Sequence, residues 1–460
     1  MKTSKSVCVR CGMAVAIALA MAATVPACGG GETKVEYPKT QNDAGVQQGT
    51  AVTTDTGQQV GVTGGPDAHS DLAGGAKSAY EKGFQAWIRG DLQAAKQAFQ
   101  EAANADPKAA APHYSLGCVH DRLGEYASAQ QEYRTALGFK SDYELAMGAY
   151  AMSIAATGGV READTFLTDK RAKMPNSARL ATYLAEIKSL EKDSGSAQQI
   201  AQDALRLDPD FKEAMVTIAR DHYRARRMEL AKYALQALLE GFGDVSPPRD
   251  KDNAEAHLLR GLIYKENGFR AGAFKDFEVA VAKRPDLVEA VIQLGVMKLE
   301  AGNSAEALPL LESAVRFSPK NALAHLNLGD AYRLAGRPTE AKKEFDTALS
   351  MDSTLAVAHY DLGLLYLFSP NIPGTSATDQ VNTAIRELNT YKTMRGPKAP
   401  PGQADDVDEL INRANAKRNE LNQPAAAPAP PPAAKPPASA APVAGGGADA
   451  GQSGIVRDMP

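Results

Sequence analysis

The chain has 460 residues, with 51 Lys and Arg set against 55 Asp and Glu, a net charge of −4 and only 6% aromatic residues. That balance argues against a nucleic-acid-binding domain, which needs a basic surplus to neutralise phosphates. Length alone would allow two or three ordinary domains. The first 27 residues read as a targeting segment outside the fold. Lys2, Lys5 and Arg10 make a positive start, and the apolar run from Met13 to Ala23 is too short to span a bilayer as a helix.

That segment ends in Val25-Pro26-Ala27-Cys28, followed by Gly29-Gly30-Gly31. This resembles a bacterial lipoprotein cleavage site, which implies that Cys28 becomes the lipidated first residue of the mature protein. The resemblance places the chain on a membrane through a lipid anchor, and Gly29 after the cysteine implies the outer membrane, facing the periplasm. Val-Pro-Ala also suits an ordinary signal peptidase, which would leave a soluble periplasmic or secreted protein. Cys8 and Cys11 form a C-x-x-C inside the segment that is removed, so Cys118 alone keeps a free thiol and no internal disulfide can form. Residues 28–75, rich in Gly, Thr, Gln and Asp, read as a disordered tether. Its r.m.s. reach is about 35–40 Å for a flexible chain.

From Ala76 the chain becomes periodic. Gly83 and Gly117, then Gly261, Gly295, Gly329 and Gly363, recur at steps of 34 residues, and Pro107, Pro175, Pro209, Pro285 and Pro319 recur at multiples of 34 within each run. The clearest copy, Ala322 to Ser353, reads as two amphipathic helices. His325, Leu328, Gly329 and Tyr332 share a face of the first, and Ala341, Phe345 and Ala348 share a face of the second. Gly336 supplies the turn between them, and Pro338 suits the first turn of the second helix. One such pair cannot bury its apolar faces, whereas a stack can. Leu-Gly with Tyr three residues on, then Ala, Phe and a closing Pro, resembles the tetratricopeptide repeat. The resemblance implies an all-α, right-handed α-solenoid of about nine repeats, with first helices starting near Ala76, Ala110, Glu144, Ala178, Lys212, Ala254, Val288, Ala322 and Ala356. Ala185 and Ala219 replace the glycine in repeats four and five.

Repeats one to five should span 76–243 and repeats six to nine 254–396. The intervening Gly241 to Asp252, with Pro247-Pro248, would either divide the stack into two lobes or bulge from its edge. Ser369 to Thr378 interrupts the last repeat, whose second helix resumes with Val381, Ala384, Ile385 and Leu388. A lone amphipathic helix within 403–422, with Val407, Leu410, Ile411 and Ala414 in its stripe, should cap the open end. From residue 423 the Pro/Ala/Gly-rich chain reads as a disordered tail.

Chemistry is sparse. No phosphate-binding loop, nucleophile elbow, zincin motif or paired-cysteine zinc site occurs, so no catalytic residue, metal or cofactor is expected. His113, His257, His325 and His359 share one register position, but a repeat's separation is too large for shared coordination, so they are read as packing residues. In the repeat family the second, fifth, ninth and twelfth positions of each first helix line a concave groove. Here they include Tyr80, Phe84 and Tyr114, with Trp87, then Leu258, Leu262, Ile292, Val296, Leu326, Tyr360 and Leu364. An exposed apolar strip of that length would mark a partner site, and packing between adjacent helices is the other reading. Arg220 and Arg224, four apart on one face, either grip a partner carboxylate or form a solvated basic face offset by Glu213 and Glu229. The expected function is a non-catalytic scaffold that binds envelope proteins or peptide segments, with no nucleic acid among its partners. Its combination of repeat and anchor is similar to lipoproteins that assist pilus, secretin or gliding-motility assembly. A glycan-binding accessory to cell-wall or polysaccharide enzymes is the alternative.

Overall fold

A computed structural model describes residues 72–244, 246–396 and 406–423. The segment read as targeting, Cys28, nearly all of the stretch read as a tether and almost all of that read as a tail lie outside the described residues. Among the described residues the secondary structure is α-helical, with no strand. The helices pair as α1 (Gly74–Ile88) with α2 (Leu92–Ala105), α3 (Ala110–Arg122) with α4 (Tyr126–Phe139), and α5 (Glu144–Ala156) with α6 (Val160–Lys173). Next come α7 (Ala178–Leu190) with α8 (Ser194–Leu207), α9 (Lys212–Arg224) with α10 (Met228–Leu239), and α11 (Ala254–Glu266) with α12 (Arg270–Lys283). The series ends with α13 (Val288–Glu300) and α14 (Ser304–Phe317), α15 (Ala322–Leu334) and α16 (Pro338–Met351), α17 (Ala356–Phe368) and α18 (Ala377–Arg395), then α19 (Val407–Leu421). Eight of the nine first helices start on the residue the period gives, and α1 starts two residues earlier, at Gly74.

Local chemistry sets these boundaries. Asp91, Ser177, Asp193, Asn253 and Asn321 each accept a backbone N–H of the helix that follows, satisfying a donor left over at the N-terminus. The turn within each repeat needs one residue in the left-handed region. Gly90, Gly124, Gly158, Gly268, Gly302 and Gly336 supply it, and Lys192 and Arg226 take the same conformation in repeats four and five.

Within a pair the helices close tightly because a small residue faces a large one. The Cβ that alanine would add at Gly117 lies 2.3 Å from Tyr133, and at Gly329 it lies 2.6 Å from Phe345. Both aromatic rings are fully buried. Each pair then packs on the next, and first helices also touch first helices directly, from α3 through α11 and from α13 through α17; the second helices make no comparable approach. First helices therefore lie inside the curve and build the concave face.

The loop before α11 does not divide the core. Val216, Leu235 and Leu238 of repeat five share one buried cluster with Ala256, Leu259 and Ile263 of repeat six. The loop folds back at the edge, where Asp250 donates its N–H to the Leu238 carbonyl at 2.9 Å. The second insertion is pinned by Gln380, whose amide donates to the carbonyls of Tyr366 and Ser369 at 3.1 and 2.6 Å. Its helix resumes at Ala377, within the span read as insertion. At the far end Val407, Leu410 and Ala414 of α19 join the cluster holding Tyr360, Leu364 and Tyr391, so α19 covers the last repeat. Tyr360 donates to Asp406 at 2.8 Å, and Lys417 donates to the Leu367 carbonyl at 3.1 Å.

The curve returns on itself. The turn glycines of repeats one and two, Gly90 and Gly124, stand against Arg316, Phe317 and Lys320 at the junction after repeat seven.

Candidate functional site: the concave face

The exposed strip expected of the sequence is not found. Tyr80, Trp87, Tyr114, Leu258, Ile292, Leu326, Tyr360 and Leu364 keep between 1 and 9% of their surface. The close approach of consecutive helices turns these positions into helix–helix seams, and α18 and α19 cover Tyr360 and Leu364. Tyr80 and Ser115, on the first helices of repeats one and two, hydrogen-bond through their hydroxyls at 2.7 Å, and the Tyr114 ring lies 5.2 Å from that of Tyr143. Phe84, Leu262 and Val296 are only half-buried, as is Leu323. They form the apolar part of the face that solvent still reaches.

The middle of the face is polar, and its arginines are already engaged. Arg220 donates to Glu186 at 3.1 Å and also to Glu255. Arg224 donates to Ser189 at 3.2 Å and pairs with Glu186 at 2.6 Å. The expectation of two free guanidiniums gripping a partner carboxylate is thus corrected: the carboxylate is Glu186, whose side chain is 2% exposed. Burial pushes the Glu186 carboxyl up, but Arg220 and Arg224 outweigh it and hold it below the ordinary range. The signal was present in the period, since Glu186 stands 34 residues before Arg220 and so shares its register.

Nor do Glu213 and Glu229 offset a solvated basic face. Glu229 points to solvent and pairs with Lys232, whereas Glu213 is buried with neither carboxylate oxygen hydrogen-bonded. Burial raises the Glu213 carboxyl above its usual range, and does the same for Glu289, the second residue of α13. Both stand at the second position of their first helix, a register that does not show that burial would dominate their charge.

The histidine register clamps each repeat internally. His113 meets Glu132 at 2.7 Å, His257 meets Asp276 at 2.8 Å, His325 meets Glu344 at 2.6 Å and His359 meets Glu387 at 2.7 Å, each joining first helix to second. Cys118 is buried, and burial pushes its thiol up to about 12, so it is protonated and unreactive at neutral pH. Among the described residues no group of three or more His, Cys, Asp or Glu could hold a metal ion, and no helix is long and apolar enough to cross a membrane.

Residues 82–149 and 298–359 match family models of the tetratricopeptide repeat. The first runs from within α1 into α5 and the second from the end of α13 into α17, and the helix pairing and 34-residue register carry the same architecture through the other repeats. A curated relative is the cellulose synthase operon protein C of Xanthomonas axonopodis pv. citri (strain 306), 26% identical over 207 residues. That match takes in 43% of this chain and only 13% of the relative's length. Solved structures similar to this chain include the APC/C hetero-tetramer Cut9-Hcn1, at 14% identity and a TM-score of 0.47, covering 74% of this chain and 76% of that one. Yeast Tom70 matches at 14% identity and the same TM-score of 0.47, covering 66% of each chain. PilF of Pseudomonas aeruginosa is 22% identical with a TM-score of 0.32, covering 47% of this chain and 95% of that one.

Proposed function

We propose that the protein is a non-catalytic scaffold of the cell envelope that receives a protein segment on its concave face. The observation that carries this reading is the half-buried row Leu262, Val296 and Leu323 in repeats six to eight, with Phe84 in repeat one, which keeps apolar surface open to solvent on the inner side of the stack. Such a row gains from being covered by an apolar segment. At the centre of the face Glu186 is already neutralised by Arg220 and Arg224, so the half-buried apolar side chains offer the surface left for a segment to cover. The lipoprotein-like Cys28 supports attachment to the outer membrane facing the periplasm, and a role in assembling a pilus, secretin or motility machine is the finer form of the proposal. The match to a protein named for a cellulose synthase operon favours a second form, an accessory to polysaccharide enzymes.

The test replaces Leu262→Glu together with Val296→Glu in the anchored, full-length chain and crosslinks intact envelopes. Wild type should capture a defined set of proteins that the double variant loses, with helicity by circular dichroism retained. Unchanged capture would remove the concave face as the site. In the same cells Cys28→Ala should move the protein from the membrane to the soluble fraction, and a variant that stays with the membrane defeats the anchor reading.

A further inference from the structure

The return of the curve on itself is a built contact. Arg122, the last residue of α3, donates to the Asp286 carbonyl at 3.1 Å and to its carboxylate at 3.2 Å. These residues are 164 apart in sequence, and Asp286 lies in the junction between repeats six and seven. Arg284 holds the same carboxylate from the other side at 2.8 and 2.9 Å. The Arg122 guanidinium also stacks on Trp87, 5.3 Å from the ring centre, which ties repeat one to the contact. Beside this charged part lies an apolar one, where Gly90 covers Phe317 and Gly124 covers the stem of Lys320.

The repeats provide their own control. Phe317 is 4% exposed, while Phe139 and Leu207, at the same register position in repeats two and four, are 47% and 42% exposed. Gly158, Gly268, Gly302 and Gly336, the counterparts of Gly90 and Gly124, have open space where a side chain would be. Phe317 packs on Val288, Val291 and Ile292 of its own repeat and Ala324 of the next, and Gly90 of repeat one closes over the edge of its ring.

We propose that this meeting is a reversible latch: repeats one and two detach from repeats six to eight, and the stack passes between a closed ring and an open solenoid. The contact consists of Asp286 shared by two arginines and of the edges of Arg316, Phe317 and Lys320 against two turn glycines, far less than the continuous core that joins neighbouring repeats, so it separates while every repeat stays folded. Opening the latch widens the concave face, and closing it restricts that face to what already lies within the ring.

The experiment uses the full chain, small-angle X-ray scattering and circular dichroism. Phe317→Lys places a residue type that repeats three and six carry at that register position, as Lys173 and Lys283, and it also removes local packing on Val291 and Ala324, so Asp286→Arg serves as the variant that leaves this core intact. Phe317→Lys weakens the meeting of the distant repeats. It should raise the radius of gyration above wild type with no loss of helicity. Asp286→Arg, which sets a third cation against Arg122 and Arg284, should do the same, and adding Arg122→Asp should return the radius towards wild type. Gly124→Cys with Lys320→Cys places the two Cβ atoms about 3.2 Å apart, close to disulfide range. Introduced into the Phe317→Lys chain and oxidised, this pair should restore the wild-type radius, and reduction should release it. An unchanged radius in both Phe317→Lys and Asp286→Arg overturns the proposal, as does an oxidised pair, verified by peptide mapping, that leaves the Phe317→Lys radius expanded.

Discussion

Asp121 shows how a single side chain adjusts the stack. It accepts the Tyr133 hydroxyl at 2.7 Å and the Ser153 hydroxyl at 2.8 Å, joining both helices of repeat two to the first helix of repeat three. Burial raises its carboxyl to about 6, outweighing those hydrogen bonds and nearby Arg122, which pull it down. An acid whose pKa is higher folded than unfolded is favoured in its protonated form, so its contribution is full below about 4 and is lost as pH rises through about 6. Asp121→Asn should therefore flatten the melting temperature between pH 4 and pH 7, where wild type declines. A wild-type decline that persists in the variant would assign it to another group. At this scale the sequence was only partly legible. Arg220 and Arg224 were recognisable as face residues, but whether a partner or Glu186 held them depended on how closely neighbouring helices approach.

For the helix pair the sequence was most informative, because the glycine that sets the period is required by geometry. Alanine at position 117 would place its Cβ 2.3 Å from a Tyr133 ring that Asp121 fixes in place, so relaxation is restricted. Gly117→Ala should cost about 1–3 kcal/mol by overpacking, read as a lower denaturant midpoint. A neutral result would show that the ring can move. Repeats four and five look irregular in sequence because Ala185 and Ala219 stand where glycine is usual, yet both helix pairs form. Opposite Ala185 the register places Ala201, so repeat four replaces the small-against-large pair by two small residues, while Ala219 faces Leu235 in repeat five. The four histidines were legible for the same reason, as recurrence at a fixed position signals a part made once per repeat.

Across the whole molecule, repeat number and order could be read from spacing, while curvature could not. Curvature follows from small rotations between neighbours, each set by side-chain volumes in the seams, and their sum decides which distant turns meet. That sum buried most of the strip read as a partner surface and brought Arg122 to Asp286. The meeting also changes how the chain should fold. A linear stack behaves as a one-dimensional array, in which end repeats fray and structure spreads between neighbours. Joining repeats one and two to repeats six to eight adds contacts across 164 residues, whose loop-closure entropy must be met before they stabilise anything. The N-terminal end, which has no capping helix like α19 among the described residues, is thereby held by the middle of the chain while the latch is shut.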